Sequence, residues 1–419
     1  MSARTSPGRP GPHPHGWPRA LGTVLAGLLA MGAVAALGLW AAGAGDLPGG
    51  AFPRVVTAVM VAAVGGSVDV SGAAGDLIGA EADLTVMPLS VTLTGALVIG
   101  RGFLRPLRQR TVAGLPELAG WAGRIAALWL CALLGLAFAA RHTFEVSLGE
   151  GLLDDLGDLF GLSPTVGFAA DVPLTVLFGL LWLAGVLLLA VLGTHGVPLP
   201  GRLSRFGTAV RPAASAVLLL LLACVAVGAV VALVVAATRG HPARTLAVLL
   251  LGLPNLVWPA LTIGLGATWD GQVDGPFALP MPRLLDEVLR TPDASALNLG
   301  ALAERDGRVW WLPVAAGVLL LAAGWLTAAR SHPRTPVWHN AVRLAVALAL
   351  AALMVCLVAR VFAHGLSVLG IGDLSAGLSG HLFLRPRLWS TVGLAALWGG
   401  LAGLLGTPLA RWTGRRTGR

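Results

Sequence analysis

The sequence predicts an all-α protein, a polytopic bundle of transmembrane helices. Long uncharged stretches recur along the chain, and the hydrocarbon core of a bilayer needs about 20 apolar residues in a helix. Hydrophobic residues make up 56% of the chain and charged residues 12%, which is about half the charged share of soluble domains. A soluble fold would have too little polar surface, so we expect an integral membrane protein whose main partner is the lipid bilayer.

The placement of arginine predicts the orientation, because cytoplasmic loops of membrane proteins are enriched in basic residues. Of 29 basic residues, all arginine, 18 lie in five short regions, whereas only one of the 20 acidic residues, Glu117, does. These regions are predicted to be cytoplasmic, with both termini on that side of the plasma membrane. They are residues 1–19, 101–124, 202–211, 330–343 and 411–419.

The first half of the chain begins with a basic segment rich in Pro and Gly, residues 1–19, which we expect to be disordered and cytoplasmic. The apolar run that follows exceeds 20 residues, whereas the core of a signal peptide has about 7–15. We therefore interpret this run as an uncleaved first span. The spans predicted in this half cover about 20–45, 84–104, 119–140 and 172–194.

Residues 55–83 do not fit as a simple span. The uncharged run between Arg54 and Asp69 has 14 residues and ends in Gly65-Gly66-Ser67. Runs of this length are more often re-entrant or interfacial than spanning. Because residues 1–19 and 101–124 should both be cytoplasmic, an even number of crossings must separate them. We therefore predict a broken or re-entrant element at 55–83 on the outer side.

The second half has a similar arrangement, with predicted spans at about 212–238, 309–329, 337–359 and 388–410 and a basic cytoplasmic tail at 410–419. Residues 245–269 are long enough to span, but Pro254 and Pro259 interrupt them, and prolines inside a helix break or kink it. The prediction is eight full spans plus two broken elements. The alternative is ten spans, which would place the arginines of 101–124 outside.

The two halves share spacings that suggest an internal duplication. Pro88 and Arg105 are separated by the same distance in sequence as Pro313 and Arg330, and an arginine (Arg54, Arg244) precedes each broken element. This favours two parallel repeats, 20–200 and 212–409, related by an axis along the membrane normal. The alternative is that spans rich in Ala and Leu resemble one another by composition alone.

Candidate functional residues follow from the two broken elements, because irregular backbone at membrane depth is tolerated where protein or a water-filled cavity satisfies it. Transporters place substrate and ion sites at such breaks. The alternative for 65–83 is an exposed loop. The candidate path-lining residues are Gly65, Gly66, Ser67, Asp69, Pro254, Asn255 and Pro259.

Other chemistry has little support in the sequence. No zinc-protease or nucleotide-binding motif occurs, so we expect no catalytic residue, metal or cofactor. The scattered arginines argue against a nucleic-acid partner. Three functions remain, in order: transport of a small solute or ion, a membrane scaffold or assembly partner, and an intramembrane enzyme.

Residues 64–108 contain GGSVDVSG and MPLSVTLTGALVIGRGFLRPLR. This stretch resembles the streptophobe family of actinobacterial membrane proteins, and the layout of the remaining chain is similar as well. The resemblance implies a polytopic protein of the cell membrane. The family has no assigned activity, so the resemblance implies no role for any residue.

Overall fold

The structure, a computed structural model, describes residues 16–46, 50–74, 78–107, 115–145, 164–194, 202–238, 242–273, 289, 295–332, 334–369 and 381–417. Helices dominate this part of the chain. They are α1 (Trp17–Ala41), α2 (Ala51–Ala63), α3 (Leu89–Leu107), α4 (Leu115–Ala139), α5 (Val172–Gly193), α6 (Arg202–Thr238), α7 (Pro242–Gly264), α8 (Leu299–Ala303), α9 (Trp311–Arg330), α10 (Val337–Val358) and α11 (Leu388–Thr417).

Eight of the described helices are long and apolar enough to cross a membrane, which confirms the predicted membrane helical bundle. Seven coincide with predicted spans: α1, α4, α5, α6, α9, α10 and α11. The eighth is α7, which covers most of the element predicted to be broken. The predicted span at 84–104 corresponds to α3, whose two internal arginines, Arg101 and Arg105, lower its hydropathy below that of the other eight.

The two predicted broken elements differ from each other. In the first, α2 has 13 residues, about 20 Å at 1.5 Å per residue, which is too short to cross a 30 Å core. In the second, α7 is a 23-residue helix with a kink at Gly252, where φ is −132° and ψ is 15°. Entry and exit of either element on one side of the membrane stays a prediction.

An eight-stranded antiparallel sheet joins the helix ends opposite the arginine-rich loops, and the sequence reasoning did not anticipate it. Each hairpin or strand pair lies in a connection that carries acidic residues, such as Asp69 and Asp270. The strands are β1 (Val68–Ala74), β2 (Ile78–Thr85), β3 (Arg141–Glu145), β4 (Pro164–Ala170), β5 (Trp269–Val273), β6 (Ser295–Leu297), β7 (Val361–Leu369) and β8 (His381–Pro386). Their spatial order is β3-β4-β1-β2-β7-β8-β5-β6.

The same arrangement of elements occurs twice along the chain. The first four strands of the sheet come from the first half in the order β3-β4-β1-β2, and the last four repeat that order as β7-β8-β5-β6. Helix packing repeats in the same way: α1 packs on α3 and α4 as α6 packs on α9 and α10, and α5 packs on α3 and α4 as α11 packs on α9 and α10. The second unit begins with α6 at Arg202.

Helices α4 and α10 each have a face buried at four-residue intervals. These positions are Trp121, Ile125, Trp129, Leu133 and Ala137 in α4 and Asn340, Leu344, Leu348, Ala352 and Cys356 in α10, where Ala341 and Val355 are buried as well. Such intervals are those of any helix with one buried face, so the similarity of the two halves rests on the order of their strands and the pairing of their helices. Each half also has an apolar cluster of its own, one centred on α1, α3, α4 and α5 and the other on α6, α7, α9, α10 and α11.

Candidate functional site

Gly65 and Gly66 form the turn by which α2 ends. The Gly65 N–H donates to the Ala62 carbonyl at 3.0 Å, and the Gly66 N–H donates to the Val61 carbonyl at 3.0 Å. These two bonds define a Schellman cap, which requires a left-handed residue after the helix. Gly65 supplies it with φ of +90°. A Cβ at Gly66 would lie 2.7 Å from the Thr175 hydroxyl, so the second glycine permits close packing on α5.

The end of α7 has an equivalent turn. The Gly266 N–H donates to the Ile263 carbonyl at 2.9 Å, the Ala267 N–H donates to the Thr262 carbonyl at 3.0 Å, and Gly266 has φ of +93°. The residues that follow, Ala-Thr-Trp-Asp, match Gly-Ser-Val-Asp in the first half. The turn therefore aligns Gly65 with Gly266 and α2 with the part of α7 that follows its kink.

Both turns are fixed to the first residues of a transmembrane helix. The Asp171 N–H donates to the Ser67 carbonyl at 3.3 Å, and the Arg387 N–H donates to the Thr268 carbonyl at 3.1 Å. Asp171 and Arg387 therefore occupy the same place, immediately before α5 and α11. The Asp171 carboxylate also accepts a hydrogen bond from the Leu174 N–H at 3.0 Å, which caps α5.

The charges at this place differ between the halves. Arg387 forms a bidentate ion pair with Asp270, in which Nη2 lies 2.9 Å from Oδ1 and Nε lies 3.0 Å from Oδ2. The carboxylate of Asp270 raises the pKa of Arg387 by hydrogen bonding and by Coulomb attraction. In the first half the backbone register aligns Asp69 with Ala169, as Asp270 aligns with Arg385. That alignment places a second acid, Asp171, where the other half has its arginine.

Asn255 connects the two halves of the bundle. Its side-chain amide donates to the Met87 carbonyl at 2.9 Å, and its oxygen accepts from the Leu89 N–H at 3.0 Å. The bond to Leu89 satisfies one of the N–H groups that every helix leaves free in its first turn. Asn255 thus acts as a cap for α3 although it belongs to α7, more than 160 residues away.

The kink in α7 is satisfied by a hydroxyl from α3. Ser90 donates to the Leu249 carbonyl at 2.9 Å and accepts from the Leu253 N–H at 3.1 Å. These two backbone groups are those that a regular helix would join to each other. The hydroxyl is therefore inserted into the helix ladder at Gly252, a known cause of kinks.

The prolines of α7 are buried and lie close to its kink. The departure from helical geometry at Gly252 falls in the turn before Pro254, where the missing N–H and the ring of a proline disturb a helix. The Thr262 hydroxyl donates a hydrogen bond to the Pro259 carbonyl at 2.7 Å. The same hydroxyl accepts a hydrogen bond from the Trp269 indole N–H at 2.9 Å. These bonds stabilise the end of α7 and its turn into β5.

The two predicted elements approach the same segment, the first turns of α3, without packing extensively on each other. On one side Thr92 donates to the Ala63 carbonyl at the end of α2, at 2.6 Å. On the other side Ser90 and Asn255 bind α7 as described. We call the set Ser90, Thr92 and Asn255, with the backbone groups they bind, the α3 junction. Its polar groups are paired with one another, which is the chemistry of a structural cross-link rather than of a reactive site.

Sequence reasoning selected Asn255 but missed Ser90 and Thr92. Both lie near the start of a predicted span, and a Ser or Thr in such a segment most often bonds its own helix. What distinguishes Ser90 and Thr92 from other helix hydroxyls is that each lies within hydrogen-bond distance of a carbonyl on another helix, that of Leu249 or Ala63. Among the described residues, no three His, Cys, Asp or Glu side chains are grouped so that they could hold a metal ion.

The fold and this junction define a class: a polytopic membrane protein of two similarly arranged halves, joined by a polar cross-link and by one sheet at the end opposite the arginine-rich loops. No family model, curated protein or solved structure matches the chain. The resemblance of residues 64–108 to the streptophobe family therefore stays a prediction.

Proposed function

We propose that this integral membrane protein is a scaffold, whose outer sheet binds a protein partner. The observation that carries the proposal is the sheet itself. Strands from four separate connections, two in each half, pair into one eight-stranded layer. Loops that only connected one helix to the next would not need backbone hydrogen bonds to other loops. The layer gives a broad surface on one side of the bundle, which is the shape that an assembly partner needs.

The charge of this side supports a partner with a basic surface. The chain outside the five arginine-rich regions holds 19 of the 20 acidic residues and 11 of the 29 basic ones. Complementary charge increases the rate and selectivity of association more than its affinity. Binding should therefore weaken as ionic strength rises, since the Debye length falls to about 3 Å at 1 M salt.

A photo-crosslinking amino acid in place of Glu304 would test the proposal in native membranes. Glu304 is exposed directly after α8, beside the sheet. We expect one defined crosslinked protein, less of it after a wash in 1 M salt, and none with the crosslinker at Arg334, an exposed residue at the opposite end of the bundle. The same product from both positions, or no product from Glu304, would contradict a scaffold.

Transport of a small solute or ion is the second candidate, and the kink at Gly252 favours it. A break stabilised by side chains from another helix could open if those bonds exchanged. Against it, the α3 junction is internally paired, and α2 and α7 do not enclose a path together. Liposomes containing the purified protein should show no more flux of K⁺, Na⁺ or protons than empty ones. Flux that disappears with Asn255→Leu would establish transport instead.

A further inference from the structure

A cavity of about 460 Å³ lies between α1, α3 and α4 at the arginine-rich end of the first half. Its volume is within the range of small-molecule sites, roughly 300–1,000 Å³. Two of the lining residues are arginines, and no acidic residue lines it among the residues that the structure describes. The lining residues are Arg19, Gly22, Thr23, Ala26, Val98, Gly102, Arg105, Pro106 and Trp121.

The cavity exists because small residues line it. Gly22 and Ala26 lie along α1 and Gly102 faces them from α3. A Cβ at Gly102 would lie 2.5 Å from a Thr23 methyl, so this glycine also allows the two helices to approach. The wall on the α4 side is fixed, because the buried Trp121 indole donates to the Phe103 carbonyl at 3.2 Å.

The second half shows what the same place looks like when it is filled. The equal spacings from Pro88 to Arg105 and from Pro313 to Arg330 align Arg105 with Arg330 and Gly102 with Thr327. Thr327 is fully buried there. The Arg330 guanidinium donates a hydrogen bond to the Ser215 hydroxyl on α6 at 2.9 Å. A side chain of the protein itself is therefore the partner of this arginine. The first half therefore has a cavity beside an arginine where the second half has a direct contact.

We propose that this cavity binds the phosphate headgroup of an anionic phospholipid. Arg19 lies in the first turn of α1 and Arg105 in the last turn of α3, so both lie at one membrane–water interface. Basic pockets between helices at such an interface bind anionic headgroups, and guanidinium groups match phosphate oxygens with paired hydrogen bonds. The apolar part of the lining, Ala26 and Val98, continues toward the bilayer and suits the start of an acyl chain.

The test is lipid retention by the full chain, purified in neutral detergent, delipidated and titrated with phosphatidylglycerol or phosphatidylcholine under native mass spectrometry. We expect one phosphatidylglycerol to bind in preference to phosphatidylcholine. An arginine near a membrane surface is worth about 1 kcal/mol of attraction to anionic lipid, which is roughly fivefold in affinity. The double variant Arg19→Gln/Arg105→Gln should therefore weaken binding roughly thirtyfold.

A second variant separates the cavity from its charge. A Cβ at Gly22 meets no atom within 4 Å, so Gly22→Leu should fill the cavity without disturbing the helices and should abolish selective binding with both arginines present. Gly120→Leu is the matched control, because its Cβ is equally unobstructed and it does not line the cavity. Arg330→Gln should also keep wild-type binding.

Three results would overturn the proposal. Retention of phosphatidylglycerol by Gly22→Leu at wild-type affinity would place the lipid elsewhere. Wild-type binding by Arg19→Gln/Arg105→Gln would show that the two arginines do not hold the headgroup. Binding of inorganic phosphate at millimolar concentration, without selective lipid binding, would assign the cavity to a soluble phosphate.

Discussion

The substitution Asn255→Leu should destabilise the bundle by removing a side-chain connection between its two halves. Leucine has a similar size but leaves the Leu89 N–H and the Met87 carbonyl without their partner, and these bonds measure 3.0 and 2.9 Å. Each unpaired buried group costs about 1–3 kcal/mol, whereas side-chain hydrogen bonds in membrane bundles average about 0.6 kcal/mol. Since the junction is only partly buried, we expect a loss of about 2 kcal/mol for the pair.

The assay is reversible unfolding of the purified protein in mixed micelles with increasing SDS, followed by tryptophan fluorescence. Ser390→Ala is the control, because this exposed hydroxyl bonds only within its own helix end and should change the free energy of unfolding by less than about 0.5 kcal/mol. Ser90→Ala should cost about as much as Asn255→Leu, and the two should couple by at least about 0.5 kcal/mol. If Asn255→Leu lowered the free energy of unfolding by less than about 0.5 kcal/mol, and its effect simply added to that of Ser90→Ala, the junction would not be a cross-link.

Three further predictions concern other parts of the structure. Gly324→Ala should destabilise the protein by more than about 2 kcal/mol in the same assay, because its Cβ would fall on backbone atoms of Ala402. Gly317→Ala is the control and should be neutral or stabilising, because the space around Gly317 is open. Equal effects of the two substitutions would contradict close helix packing at Gly324. Arg387→Gln should lower the stability slightly at low salt and leave it unchanged in 1 M salt, since its ion pair is largely exposed. A large, salt-independent loss would contradict a surface pair. In a cysteine-free background, Glu304→Cys in intact cells should react with an impermeant maleimide and Arg334→Cys should not, and the reverse labelling would invert the orientation.

The sequence was sufficient to predict the helical bundle but not the sheet. Uncharged runs determine which segments enter lipid, and the burial of one helix face repeats at intervals that a sequence displays. The strands are short, lie among Gly, Ala and acidic residues such as those around Asp69, and alternate weakly, so their pairing depends on partners far along the chain. Strand β2, for example, pairs with β7 across nearly 300 residues, and no local pattern specifies this partner.

The candidate residues show the same division. The sequence selected Gly65 as a candidate path-lining residue at the end of a broken element, and the structure places it in the left-handed cap of α2. Its partner, however, is Gly266, whereas the sequence spacing suggested that Arg54 and Arg244 correspond. Arg54 precedes its turn by half the distance that separates Arg244 from Gly266, because α7 has an additional segment before its kink. Length differences of this kind conceal equivalent positions until the turns are superposed.

The order of strands has a consequence for self-association. Strand β2, the last of the first four, pairs with β7, which is the counterpart of β3, the first of them. The two halves therefore meet through different edges, in a head-to-tail contact. Contacts of this kind can continue from one molecule to the next. Among the described strands, the two free edges are β3 and β6, and β6 has three residues. Between β2 and β7 the chain therefore uses the head-to-tail contact internally, within one molecule.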